Sequence, residues 1–154
     1  MTLAKNLRQA LNDPTQSGEG TVAAAAGPWQ ATASTAHRDK VGAEINELTV
    51  ERKDPGPGGV KAWADNFANR SRGLLEPLKV HEVDAARGEA LVRSTPPAKE
   101  DGRTDYYEVK LQGTQKASVK RYRNEDGKRQ DIPFALTHDS VGRLVDDLTG
   151  SQGG

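Results

Sequence analysis

Tyrosines are set among lysines and arginines in DYYEVKL, residues 105–111, and again in KASVKRYR, residues 116–123. Rings and cations interleaved at strand spacing suit one chemistry: rings stack on unpaired bases while ammonium and guanidinium groups meet phosphates. Strand alternation puts Tyr106, Glu108 and Lys110 on one face and Tyr107, Val109 and Leu111 on the other. With Ala117 and Val119 turned inward, Ser118, Lys120 and Tyr122 join Tyr106 and Lys110 on the open face. Arg121 and Arg123 then fall on the inward parity, which an apolar core does not accept. Either the strand has run past the core at Arg121, or its register is reversed and Tyr122 is buried.

Residues 116–130, KASVKRYRNEDGKRQ, hold six Lys or Arg and two acids in a chain with 22 basic and 22 acidic residues. With formal net charge zero, an electrostatic partner must be recognised locally. The candidate nucleic-acid contacts are Tyr106, Lys110, Lys116, Lys120, Arg121, Tyr122 and Arg123. The competing reading of the same stretch is a solvated hairpin whose lysines keep a sheet edge from pairing with other chains.

Other chemistry finds little footing. His37, His81 and His138 are far apart, and none has a partner at metal-ligand spacing. In HEVD, regular alternation would send His81 and Glu82 to opposite faces. Asp139, next to His138, suits the first turn of a helix. GEG at 18–20 and GPGG at 56–59 lack the strand-to-helix setting of a phosphate loop, and no Gly-Lys-Ser/Thr follows them. The absence of cysteine removes disulfides and thiolate catalysis. No catalytic motif, metal site or cofactor is implied, and the reading leans away from an enzyme.

The elements that must position the tyrosines follow from composition and periodicity. At 34% hydrophobic residues, with 16 Gly and 8 Pro, the 154-residue chain suits one core with loose ends. The start lacks a continuous apolar signal region and no run reaches bilayer length, so a cytoplasmic protein away from membranes is expected. TLAKNLRQALND places Leu3, Leu7 and Leu11 on one helical face, with Thr2 able to cap. Residues 12–28 read as a flexible linker whose Ala23–Ala26 run is at most transiently helical. Residues 29–149 form one α+β domain, and 150–154 a disordered tail. Within the domain, WQATASTA alternates as a strand. Residues 41–53 fit helix or strand, with β-branched Thr49 and Val50 favouring strand. Trp63, Phe67 and Leu74 share a helical face that Gly73 ends. Then come LKVHEV, EALVRS, DYYEVKL, KASVKRYR and, after the Asp126-Gly127 hairpin signal, KRQDIPFAL. THDSVGRLVDDL closes the domain as an amphipathic helix capped by Thr137 or Asp139, with Gly150 past its end. The expected order is strand-strand-helix, four or five strands and a C-terminal helix, with helices covering one face of an antiparallel sheet.

The segment DYYEVKL…KASVKRYR…RQDIPFALTHDSVGRLVDDL, about residues 104–149, resembles the second half of a PUR-type repeat. That four-strand-plus-helix module belongs to single-stranded DNA and RNA binding proteins. In the family, the strands carry aromatic and basic residues, and an apolar strand like DIPFA leads into the closing helix. The resemblance implies binding positions at Tyr106, Lys110, Lys120 and Tyr122, and a single-stranded DNA or RNA partner. WQATASTA, ELTVER and the Trp63 helix would be a degenerate first half; because such repeats pair, the resemblance also implies a homodimer. The alternative is a protein-interaction or chaperone-like module whose exposed sheet and leucine-striped, flexibly tethered N-terminal helix dock a protein partner.

Overall fold

The computed structural model describes residues 2–13, 20–71, 74, 76–95 and 102–152. Its strands are β1 (Gly20–Ala26), β2 (Trp29–Arg38), β3 (Gly42–Arg52), β4 (Leu78–Asp84), β5 (Glu89–Ser94), β6 (Arg103–Gln112), β7 (Lys116–Glu125), β8 (Lys128–Ile132) and β9 (Phe134–Thr137). Its helices are α1 (Leu3–Leu11), α2 (Val60–Arg70) and α3 (His138–Gly150). The strands form one antiparallel sheet in the order β1-β2-β3-β7-β6-β5-β4, with β8 on β7 and β9 on β3. The fold is α+β, with the helices covering one sheet face.

Alternation builds that core face. Ala31 and Ala33 of β2, Leu48 and Val50 of β3, Val92 of β5, Val109 and Leu111 of β6 and Val119 of β7 are all fully buried under the helices. Each helix offers an apolar stripe: Leu3, Leu7 and Leu11; Trp63 and Phe67; Val141, Leu144, Val145 and Leu148. The buried Trp63 indole N–H donates to the carbonyl of Leu148 (2.9 Å), satisfying its polar atom while tying α2 to the last turn of α3. Thr137 caps α3 by accepting from Ser140 N, and Asp139 in the first turn pairs instead with Arg8 of α1 (3.3 Å). Thr2 caps α1 as its sequence suggests.

Several expectations are corrected. Gly20–Ala26, assigned to the flexible linker, is a strand paired residue by residue with β2. Small side chains serve there because Val22, Ala24 and Ala26 face the core beneath α1 while Ala23 and Ala25 are exposed, and Gly27-Pro28 turns the hairpin with Gly27 at φ 57°. Helix α1 is therefore part of the core. The guanidinium of Arg38 donates to the carbonyls of Ala10 and Leu11 at its C-terminal end. Residues 14–19 of the expected linker lie outside the described residues. Residues 42–52 are strand. Helix α2 stops at Arg70, so Leu74 reaches the core from the turn beyond it; Gly73 is outside the described residues. Gly150 belongs to α3, and Gln152 bonds Arg52 and the carbonyl of Thr114, so the expected tail is docked at least to there. Pro133, which has no N–H for a ladder, divides the last strand segment: β8 stays on β7 while β9 crosses to β3.

Candidate nucleic-acid interface

The β6–β7 register decides which side chains meet. Tyr106 pairs with Tyr122, Glu108 with Lys120 and Lys110 with Ser118, while Val109 pairs with Val119 on the buried side. Tyr106, Lys110, Lys120 and Tyr122 therefore share the helix-free face. Lys116 is on that face too, at the far end of β7 opposite Gln112. The register is the one that leaves Tyr122 outside the core.

Arg121 and Arg123 are on the helix side, away from the tyrosine pair. The strand does outrun the apolar core, and carboxylates receive the two guanidiniums. Arg121 pairs with Glu76 (3.1 Å) and lies 4.3 Å from the centroid of the Tyr107 ring, which itself packs edge-on against Phe134. Arg123 forms two hydrogen bonds to Asp105, of 2.9 and 3.0 Å. That pairing holds the Asp105 carboxyl below the usual carboxylate range. These arginines do not join the same surface as Tyr106 and Tyr122.

Three residues not singled out from the sequence take part instead. Arg93 of β5 stands opposite Glu108, and Arg129 of β8 stands opposite Asn124, two pairs beyond Tyr122. The side chain of Glu108 is only 8% exposed on a face that none of the described helices covers, because Arg93 (2.7 Å) and Arg129 (3.1 Å) close around it. The same guanidiniums flank the rings: Arg93 is 5.4 Å from the Tyr106 centroid and Arg129 is 3.5 Å from that of Tyr122. Lys120 is 5.9 Å from the Tyr122 ring and bonds Asp131 (2.9 Å), which raises the pKa of its ammonium. Arg129 was legible in principle. Asp126 and Gly127, at φ 53° and 75°, make the two-residue turn that NEDG suggests, and that turn fixes Asn124 against Arg129. Arg93 and Glu108 needed the β5–β6 register, which no local signal specifies.

A β-bulge at Val80/Glu82 breaks the alternation of β4. The expected separation of His81 and Glu82 to opposite faces does not hold. Glu82 pairs with Leu91, and the His81 ring lies 3.1 Å from a guanidinium nitrogen of Arg93. A shallow cavity of about 450 Å³ opens there, with Lys79, His81, Arg93, Thr95, Tyr106 and Asn124 among its lining residues and, among the described residues, no carboxylate. Lys79, Lys110 and Lys116 form no ion pair with any described residue. Among the described residues no cluster of His, Asp and Glu is arranged to hold a metal ion, and no helix is long and apolar enough to cross a membrane. Comparison with family models, curated proteins and solved structures finds no match to the chain.

Proposed function

We propose that the chain binds single-stranded nucleic acid on its helix-free sheet face. The observation that carries this reading is the Tyr106–Tyr122 pair, two rings 5.9 Å apart on a surface that none of the described helices covers, edged by Arg93, Lys120 and Arg129. Bases stack on such rings regardless of sequence, since every base has a π-face. Phosphates running alongside meet Lys79 and Lys110 directly, and they compete with Asp131 for Lys120 and with Glu108 for the guanidiniums. The hollow beside Tyr106, into which Lys79 and Arg93 bring positive charge, suits a phosphate next to a stacked base. The likeness to PUR-type repeats points to the same chemistry and to four of the same residues, Tyr106, Lys110, Lys120 and Tyr122. The leucine stripe of α1, one of the two features behind the protein-docking alternative, is occupied in the chain's own core, which leaves that alternative the exposed sheet.

Titration of a labelled single-stranded oligonucleotide at several salt concentrations tests the proposal. Each phosphate contact contributes about −0.7 to the log-log slope, so three or four contacts give roughly −2 to −3. No saturable binding even at low salt would remove it.

A further inference from the structure

The ends of the sheet are unequal. At one end β4 carries the Val80/Glu82 bulge and the charged Lys79 and Glu82, and the short β8 carries Lys128, Arg129 and Asp131; each device discourages pairing with another chain. At the other end β1, GTVAAAA, has no charge, no proline and no break in its register from Gly20 against Thr35 to Ala26 against Trp29. Its inner edge is paired with β2, and among the described residues its outer edge has no strand beside it. Among the described residues, the side-chain hydrogen bond to its backbone from outside the sheet is Asn6 Nδ2 to the carbonyl of Ala25 (2.9 Å), at one end of the strand. Alternate N–H and C=O groups along Gly20–Ala24 are left to water or to another chain.

We infer that β1 is a dimerisation edge that pairs antiparallel with β1 of a second copy. An antiparallel ladder between identical strands closes about a two-fold axis, so each outward donor of one copy meets an outward acceptor of the other. The strand brings no charge to its image, and the chain's formal net charge of zero imposes no long-range repulsion between copies. Both layers continue across the junction: sheet joins sheet, and α1, which packs on β1, is carried beside its image. The helix-free faces of the two copies then form one continuous surface. This inference stands on the edge itself and not on what that face binds.

Sedimentation of the full chain across a concentration series tests it, together with Ala23→Lys, Ala23→Glu and Thr21→Lys, at exposed positions of β1. The wild type should move from 16.6 kDa to twice that mass as concentration rises. Each single variant should remain a monomer with an unchanged far-ultraviolet spectrum, because like charges meet across the axis. An equimolar mixture of the Ala23→Lys and Ala23→Glu chains should restore the dimer, which a merely misfolded variant would not do. A wild type that stays at monomer mass up to about 1 mM, where even weak complexes form, or variants that dimerise as the wild type does, would overturn the inference.

Discussion

Tyr106 and Tyr122 stand directly opposite each other across the β6–β7 ladder, their ring planes tilted by 35° on the side of the sheet away from α1, α2 and α3. Tyr122→Ala should weaken oligonucleotide binding by about 1 to 3 kcal/mol while leaving the salt slope nearly unchanged, because stacking releases no counterions. Lys120→Ala should do the reverse, with a smaller loss and a slope shallower by about 0.7. Equal effects of both variants on affinity and slope would separate the rings from the binding surface.

Glu108 holds two guanidiniums that would otherwise be available to phosphates. Glu108→Gln keeps the shape and removes the charge. Oligonucleotide affinity at low salt should rise and the slope steepen by about 0.7 for each arginine released. Stability should fall, by about 1 to 3 kcal/mol, since Arg93 and Arg129 lose their charged partner. Weaker binding in this variant would mean that the carboxylate itself touches the ligand.

Leu7 is fully buried between the sheet and α3, although its helix precedes the first strand. Leu7→Ala should cost about 2 to 5 kcal/mol in chemical denaturation, comparable to Leu144→Ala and Phe67→Ala in the other two helices. A loss under about 0.5 kcal/mol at Leu7 alone would mark a helix outside the cooperative unit.

Asp105 is held low by its hydrogen bonds from Arg123, and Asp39 by the N–H groups of Val41 and Gly42. A carboxyl whose folded pKa lies below its unfolded value of about 3.9 stabilises the fold above that pH, and this contribution is lost as pH falls through the folded value. Asp105→Asn should therefore be less stable than wild type at pH 7, and the gap should close as both are taken toward pH 2. Stability curves that run parallel from neutral to acid pH would contradict the assignment.

Large apolar side chains made most of this fold legible. The Leu3, Leu7, Leu11 spacing, the Trp63–Phe67 face, the alternation of Tyr107, Val109 and Leu111, and the closing helix each carry a period that only one element satisfies. β1 was hidden because it packs through alanines, which mark neither helix nor strand; its signal was Gly27-Pro28 set between two runs of small residues. The parity of Tyr106, Lys110, Lys120 and Tyr122 was readable from two adjacent strands. Arg93 and Glu108 were not, since their meeting depends on a strand pairing across an intervening loop, and the bulge that turns Glu82 toward Leu91 has no residue signature. Arg121 and Arg123 share β7 with Tyr122, but alternation turns them to the helix side, where they pair with Glu76 and Asp105.

The claim that the helix-free face is the binding face is tested most directly by amide chemical-shift mapping of the isotope-labelled chain with a single-stranded oligonucleotide at low salt. Saturable shifts should concentrate on residues 104–110 of β6, 118–124 of β7 and Arg93, leaving α1 and α3 unmoved. Saturable shifts centred on the helices, or none at all, would contradict it.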